Sequence, residues 1–370
     1  MLGRLRLGPP NLRGRKYPEP PHPYRNDFQR DRDRIIHSHA FRRLEGKTQV
    51  WAAGLCDHFR NRLTHTIEVS QVARTVAVAL QLNEEYTETL ALAHDLGHPP
   101  FAHVAEKELD RQMARFGDTF EHNRHALRIV DFLEQRYARF DGLNLTFEVR
   151  EGIVKHSREI NGNAESELQE LCPDQRPPLE AQLLDLADEI AYNTADIDDA
   201  FLANLFTVEE VGEMIPVFRV LAEQADTQFP GAPNRVRFWE IQRHAVNFLV
   251  GGLVHGTGQA ADAAGVQTSE DVRQLDYRLA QFTPEAAELN RQMKAVLVSR
   301  VYSYQQLVAD RSAAVVKIGQ LFEYLLQNPE RVSSGYRENL ADTPVHRVVC
   351  DYIAGMTDTY FMRVHRELLG

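Results

Sequence analysis

The stretch ETLALAHDLGHPPF, residues 88–101, decides the fold. The apolar residues Leu90, Ala91, Leu92 and Ala93 indicate a helix, and Pro99 and Pro100 end that helix because proline lacks a backbone donor. His94 and Asp95 therefore stand at the end of an apolar helix. Burying an ionised aspartate beside an imidazole is costly unless a cation or hydrogen bonds compensate for it. This stretch predicts a helix end that is satisfied by hydrogen bonds alone or that holds a metal ion.

Helical periodicity continues along most of the chain from Arg25 onward. Strand-like alternation is scarce, and no Asn-Gly or Asp-Gly turn joins two strand-like runs, so we predict an all-α protein. We predict loops at 157–178, at 228–234 and at 255–267, the last because glycines are frequent there. The predicted helices are 66–82, 88–96, 122–139, 148–156, 179–203, 208–226, 235–254, 269–281, 284–300, 304–327 and 343–368.

Length and composition restrict the classes of protein to which the chain can belong. Its 370 residues, 43% of them hydrophobic, are enough for one large core or two modest ones. It contains no apolar run of membrane-spanning length and no signal-peptide core, and its three cysteines are too dispersed for a disulfide scaffold. We therefore expect a cytoplasmic protein without a membrane segment. The net charge of −11 disfavours a protein that mainly coats nucleic acid.

The chain divides into three consecutive regions by composition. Residues 1–24 hold six of the 17 prolines and several basic residues, which predicts an extended arm or, alternatively, a solvated tail. Residues 25–205 contain the histidine and aspartate motifs, and 206–370 form a C-terminal helical region packed on this core. The boundary near 205 is soft because many helices are expected to share one core.

Two more residues extend the His94–Asp95 pair into a candidate metal site. His65 precedes an amphipathic helix, and Asp188 lies in a strongly apolar one. Tyr192 and Asp196 follow Asp188 at four-residue steps on the same face. Imidazoles and carboxylates that emerge from apolar helices suit a divalent ion in a bundle core, with manganese, iron, magnesium, nickel or zinc as candidates.

Other polar side chains near these motifs suit phosphoryl chemistry. His103 and Glu106 are three residues apart, and a histidine oriented by a carboxylate can move a proton; a chance surface pair is the alternative. Arg62, three residues before His65, can grip a phosphate through its planar guanidinium. Lys155 is a weaker candidate for the same task, and a solvated lysine is its alternative.

This ordered set of motifs resembles the HD-domain phosphohydrolases, and most closely their deoxyguanosine triphosphate triphosphohydrolase (dGTPase)-like branch. The resemblance implies an all-α HD-domain helical bundle with additional C-terminal helices. It also implies one divalent ion for each subunit, with manganese, magnesium or iron preferred over nickel or zinc. The implied metal ligands are His65, His94, Asp95 and Asp188. The resembling segments are 41–50, 62–66, 94–103, 120–123, 187–192 and 351–358.

The activity implied by the resemblance is hydrolysis of deoxynucleoside triphosphates at the α-phosphorus, giving deoxynucleoside and inorganic tripolyphosphate for control of the dNTP pool. The base-contacting residues of dGTP-specific enzymes do not map onto this chain by motif, so guanine is not fixed. The implied catalytic residues are His103, Glu106 and His122. The implied substrate-binding residues are His98, Tyr192, Asp196 and Gln49, in addition to the phosphate-binding candidates Arg62 and Lys155. For His122 a hydrogen bond at a helix N-terminus is the alternative, and for Gln49 it is packing.

The resemblance also implies homo-oligomers, often hexamers, and a nucleotide activator at a second site. The basic residues of 1–16 mildly favour contact with single-stranded DNA. Two alternatives stay open: an HD-family phosphohydrolase or phosphodiesterase acting on another nucleotide, and a nucleotide- or single-stranded-DNA-binding regulator with a residual site. A two-metal centre ranks lower because the sequence shows none of the additional histidine ligands that such enzymes use.

Overall fold

The structure, a computed structural model, describes residues 1–51, 58–159 and 166–370. Within these ranges it contains helices and no β-strand, which confirms the all-α prediction. Two π-helical turns, Ile129–Leu133 and Leu297–Val301, continue the helices that precede them. The α-helices are α1 (Asp27–Ile36), α2 (His39–Arg43), α3 (Arg62–Leu80), α4 (Glu84–Ala93), α5 (Ala102–Ala114), α6 (His122–Arg128), α7 (Phe147–Val154), α8 (Ser166–Gln169), α9 (Leu179–Leu202), α10 (Val208–Met214), α11 (Pro216–Gln228), α12 (Asn234–Ala264), α13 (Ser269–Arg273), α14 (Pro284–Val296), α15 (Gln305–Gln327), α16 (Ser334–Arg337), α17 (Val345–Ala354) and α18 (Asp358–Leu369).

Capping residues and prolines divide two of the predicted helices. The predicted helix 208–226 is interrupted at Ile215, because Pro216 has no N–H to continue α10 and instead starts α11. The predicted helix 343–368 is likewise two helices, α17 and α18. The hydroxyl of Thr357 accepts a hydrogen bond from the backbone N–H of Tyr360 and so caps the start of α18.

The prediction of a loop at 255–267 is wrong, because α12 continues to Ala264. Gly252 and Gly256 lie one helical turn apart, where α12 approaches the start of α14. A Cβ atom at Gly256 would lie 2.5 Å from the carbonyl oxygen of Gln281, and one at Gly252 would lie 2.2 Å from the Cβ of Ala286. These glycines therefore permit close helix packing rather than chain flexibility.

The described chain forms two compact units, each assembled from three separate segments. The first unit comprises Met1–Arg13, Ile67–Ala91 and Lys155–Tyr304, and the second comprises Gly14–Thr66, Leu92–Val154 and Gln305–Gly370. These units do not follow the consecutive regions 1–24, 25–205 and 206–370, which stay a prediction.

In the first unit, α9, α12 and α14 pack against one another. The rings of Phe201 and Phe238 are stacked with their centroids 3.9 Å apart. The predicted N-terminal arm is partly packed here, since Leu2 and Leu5 are buried. The backbone N–H of Leu7 donates a 2.9 Å hydrogen bond to the carboxylate of Glu180. At least these first residues are anchored in the unit and are not a solvated tail.

In the second unit, α15 packs on α5 and α17 around a cluster of apolar side chains. Leu109 of α5, Phe322 of α15 and Val349 of α17 are fully buried in this cluster. Burial of such side chains contributes roughly 1.5–3 kcal/mol each to folding. Packing in this cluster therefore fixes the position of α5, the helix that carries His103 and Glu106.

Candidate active site

Three of the four predicted metal ligands meet inside the second unit. His65 lies in the first turn of α3, and His94 and Asp95 form the turn directly after α4. One ligand atom from each of these residues lies within 4.8 Å of the other two. All three side chains are buried, with at most 4% of their surface exposed. Two imidazoles and one carboxylate that converge in this way fit a divalent transition metal.

The charges around Asp95 keep its carboxyl group ionised. Burial opposes ionisation, but Arg62, with smaller contributions from His94 and His98, holds the pKa of Asp95 well below its ordinary value. Nη1 of Arg62 donates to Oδ2 of Asp95 at 2.7 Å, and Nε2 of His98 lies 3.1 Å from Oδ1. The carboxylate is therefore ionised and can bind a cation. The predicted role of Arg62 as a phosphate clamp stays a prediction.

A glycine that the sequence analysis did not single out brings α6 to this turn. A Cβ atom at Gly97 would lie 1.9 Å from the carbonyl oxygen of His122 and 2.4 Å from the backbone nitrogen of Ala126. No side chain fits at this distance, so position 97 must be glycine for α6 to pack here. The close approach places His122 beside His98, with ring centroids 4.0 Å apart.

The predicted catalytic residues His103, Glu106 and His122 lie together around one carboxylate. Oε2 of Glu106 is 3.1 Å from Nδ1 of His103, and Oε1 is 2.7 Å from Nδ1 of His122. Burial opposes ionisation of Glu106, but these two contacts hold the pKa of its carboxyl group below the ordinary range. Burial, reinforced by Arg62, also holds the pKa of His98 well below its ordinary value. The arrangement provides an oriented, 61% exposed imidazole at His103 beside a neutral one at His98.

Lys47 and Asp358, which were not among the predicted site residues, fix the segment between Asp95 and α5. The buried Nζ of Lys47 donates to the carbonyl oxygens of His98 and Ala354. The carboxylate of Asp358 accepts hydrogen bonds from the backbone N–H groups of Thr48, at 3.0 Å, and Phe101, at 3.1 Å. Gln49, predicted to contact substrate, follows Thr48 and is 9% exposed.

The remaining predicted residues lie in the first unit. On α9, Asp196 accepts a hydrogen bond from the hydroxyl of Tyr302, whose ring lies 6.1 Å from that of Tyr192. Burial and the charge of Asp196 raise the pKa of Tyr302, so its hydroxyl stays protonated. Lys155 is 1% exposed, and its Nζ donates to the carbonyl oxygens of Cys172 and Gln175, both at 2.7 Å. The alternative of a solvated lysine is therefore wrong, and its role in substrate binding stays a prediction.

Asp188, the fourth predicted metal ligand, also lies on α9. Its Oδ2 is 3.7 Å from Nε2 of His156, whose Nδ1 is 2.6 Å from Oδ1 of Asp185. Burial opposes protonation of His156, but Asp185 and Asp188 raise its pKa to about 10. His156 was not among the predicted site residues, although it follows Lys155 and precedes a predicted loop.

Across the described ranges, none of the helices is at once long enough and apolar enough to cross a membrane.

Two family models match parts of the chain, and curated relatives match nearly all of it. Residues 62–193 match the HD domain family, and residues 280–367 match the phosphohydrolase-associated domain. A curated relative named deoxyguanosinetriphosphate triphosphohydrolase-like protein, from Thiobacillus denitrificans, is 45% identical over 96% of this chain and 94% of its own. Proteins of the same name from Azoarcus sp. and Geobacter sulfurreducens are 44% and 41% identical. They cover 97% and 96% of this chain and 94% and 92% of their own lengths.

Proposed function

The chain belongs to the deoxyguanosinetriphosphate triphosphohydrolase-like family of HD-domain hydrolases, and we propose that it converts deoxynucleoside triphosphates to deoxynucleoside and inorganic tripolyphosphate. The observation that most strongly supports this proposal is the convergence of His65, His94 and Asp95 within 4.8 Å in the second unit. The imidazoles of His103 and His122, on Glu106, lie in the same unit. A metal-dependent phosphohydrolase requires both a cation site and a proton-transfer group.

His65, His94, Asp95 and Asp188 would hold the ion, which is manganese, magnesium or iron in our proposal. When bound, it polarises a phosphoryl oxygen and offsets the negative charge that develops at the α-phosphorus. Asp188 enters this set by resemblance to the family motif. Arg62 keeps Asp95 ionised through the 2.7 Å contact of Nη1 with Oδ2, which favours cation binding over protonation of the carboxyl group.

One of the two histidines on Glu106 transfers a proton in the proposed reaction. Water attacks the α-phosphorus, the bond between phosphorus and the 5′ oxygen breaks, and that oxygen leaves with a proton. His103, oriented by Glu106 at 3.1 Å and largely exposed, takes a proton from the attacking water or gives one to the departing 5′ oxygen. His122 and the neutral His98 contact the phosphates, where an uncharged imidazole can donate from one nitrogen and accept at the other.

Six side chains bind the substrate in this proposal. Arg62 supplies the guanidinium for the triphosphate, and Tyr192 and Asp196 contact the deoxyribose. Tyr302 supports that pair, because its hydroxyl donates to Asp196 and its ring lies 6.1 Å from that of Tyr192. The remaining three are His98, Gln49 and Lys155. The names of the relatives make dGTP the first substrate to test, and other dNTPs follow.

Regulation and assembly complete the proposal. We propose a cytoplasmic homo-oligomer, with a hexamer as the first arrangement to test, and an activating nucleotide bound at a second site. The N-terminal arm is the candidate contact for single-stranded DNA. Gel filtration with light scattering measures the oligomer, and fluorescence anisotropy at two salt concentrations measures DNA binding.

The decisive experiment supplies the metal-stripped protein with Mn²⁺ or Mg²⁺ and each dNTP, singly and in mixtures, and separates the products by anion exchange. We expect tripolyphosphate, and no turnover from His94→Ala with unchanged helix content. Turnover only in mixtures would reveal an activating nucleotide. Orthophosphate or pyrophosphate as the product would contradict the proposal and support another HD phosphohydrolase. Tight nucleotide or DNA binding without metal-dependent turnover would support a regulator.

A further inference from the structure

His156 lies between two carboxylates that share one face of α9. Asp185 and Asp188 are three residues apart on this helix, so their side chains lie one above the other. Nδ1 of His156 is 2.6 Å from Asp185, and Nε2 is 3.7 Å from Asp188. The imidazole side chain is only 4% exposed. Each ring nitrogen therefore faces a different carboxylate in a buried environment.

The first of these carboxylates is fixed from its other side. The backbone N–H of Ser157 donates to Oδ1 of Asp185 at 2.9 Å, and the guanidinium of Arg278 donates to Oδ2. Arg278 also donates to Oε1 of Glu159 at 2.6 Å and to the carbonyl oxygen of Lys155 at 2.7 Å. These contacts hold the carboxylate of Asp185 in place, and Asp185 in turn orients the imidazole of His156.

The geometry defines what His156 can do for Asp188. Asp185 lies at one ring nitrogen and Asp188 at the other, so the ring links the two carboxylates. Groups behind a metal ligand commonly fix its orientation, and removal of such a group costs about 10–100-fold in metal affinity.

We propose that His156 is a positioning residue for the metal centre: it fixes the orientation of Asp188, and Asp185 and Arg278 fix His156 in turn. This inference rests on the proposed function, because it takes Asp188 to be a metal ligand. The proposal assigns His156 to the support of Asp188 and not to the ligands of the ion.

The test measures Mn²⁺ affinity directly, by electron paramagnetic resonance of free Mn²⁺ during titration of the full-length protein without nucleotide. We expect His156→Gln to weaken binding by about 10–100-fold and Asp185→Asn to weaken it in the same direction. The double variant should bind no more weakly than His156→Gln, because Asp185 acts through His156. The matched control is Asp198→Asn, since Asp198 lies on the same helix but accepts from the indole N–H of Trp239 at 3.1 Å.

Kinetics separate positioning from a merely structural role. In His156→Gln we expect kcat to fall at limiting Mn²⁺ and to recover at high Mn²⁺, while KM for the nucleotide stays unchanged. Unchanged Mn²⁺ affinity in a folded His156→Gln would overturn the inference. Loss of one coupled nitrogen from the electron spin echo envelope modulation of bound Mn²⁺ would also overturn it, since His156 would then be a ligand.

Two further variants keep the inference testable if His156→Gln does not fold. Asp185→Asn and Arg278→Lys leave the imidazole in place and remove part of its support, so each should weaken Mn²⁺ binding by a smaller factor. Wild-type affinity in both would overturn the inference. Failure of the wild-type protein to bind Mn²⁺ or to hydrolyse dNTPs would instead contradict the proposed function.

Discussion

The carboxylate of Asp358 accepts a 3.1 Å hydrogen bond from the backbone N–H of Phe101, a residue 257 positions earlier in the chain. Phe101 and Ala102 have positive φ angles of 60° and 58°, which cost roughly 1–3 kcal/mol each for residues other than glycine. Phe101 immediately precedes α5, the helix that carries His103, and Ala102 is its first residue. The C-terminal helix α18 thereby holds a strained turn that sets the direction of α5.

Replacement of Asp358 tests this coupling. We expect Asp358→Ala to lower the free energy of unfolding by about 1–3 kcal/mol, because the N–H groups of Phe101 and Thr48 lose a buried acceptor. We expect kcat to fall as well, since relaxation of the turn displaces His103. Urea denaturation and steady-state kinetics measure the two effects. The exposed Asp342 provides the control variant Asp342→Ala, and equal behaviour of the two variants would refute the coupling.

Two glycine substitutions test the packing of the His94–Asp95 turn. Gly97→Ala would place a Cβ 1.9 Å from the carbonyl oxygen of His122, so we expect destabilisation by at least about 1–3 kcal/mol and loss of activity. Gly258→Ala, within α12, meets no atom within 4 Å, so we expect stabilisation by about 0.5–1 kcal/mol. Thermal unfolding compares the two. A harmless Gly97→Ala would show that α6 does not pack against this turn.

Neighbouring glutamates on α5 separate a specific effect on catalysis from a general effect of charge. Glu106→Gln removes the charge that orients His103 and His122, so we expect kcat to fall by about 10²–10⁴-fold with little change in stability. Glu108 instead accepts a hydrogen bond from Nε of Arg111 at 2.8 Å, and Glu108→Gln should retain wild-type kcat. Single-turnover kinetics with saturating metal provide the comparison. A similar loss of kcat in both variants would show that Glu106 acts through its charge in general and not by orienting His103 and His122.

Asp351 gives the stability of the protein a predictable dependence on pH. Burial raises the pKa of Asp351 to about 6, although Nε of Arg128 donates to its Oδ2 at 2.7 Å. Arg347 opposes this rise and Asp118 adds to it, while Nδ1 of His125 lies 3.6 Å from Oδ1. The carboxyl group therefore binds its proton more tightly in the folded state than in the unfolded state, where its pKa is 3.8. Its contribution to stability is complete below that value and is lost as the pH rises to about 6.

In Asp351→Asn, residue 351 has no titratable group, so the variant should not show this loss of stability as the pH rises. We expect the unfolding free energy of the variant, relative to the wild type, to increase by on the order of 1–3 kcal/mol between about pH 4 and about pH 6. Urea denaturation at several pH values, with Asp342→Asn as the control, measures the difference. Parallel curves for wild type and Asp351→Asn would show that Asp351 has an ordinary pKa.

Features encoded by local pattern were predictable from the sequence. The helix predicted at 179–203 is observed as α9, Leu179–Leu202, because apolar residues at helical spacing and a preceding proline define it. The cluster of His65, His94 and Asp95 was also predictable, since buried polar residues at the ends of apolar helices require a compensating partner.

Features that depend on distant partners were not predictable. Gly252 and Gly256 resemble a flexible segment in sequence, and only the contact with residues 281–286 shows that they are needed inside a helix. Asp358 accepts a hydrogen bond from Thr48, 310 positions away in the chain, and no local sequence pattern predicts such a contact. His156 likewise required the fold to show that its ring stands between Asp185 and Asp188.

Hydrolysis in ¹⁸O-labelled water tests the central claim most directly, with the metal-stripped protein assayed before and after Mn²⁺ is restored. The account predicts turnover only after restoration, with one ¹⁸O atom in tripolyphosphate and none in the deoxynucleoside, as measured by mass spectrometry. Turnover without metal, or label found in the deoxynucleoside, would contradict it.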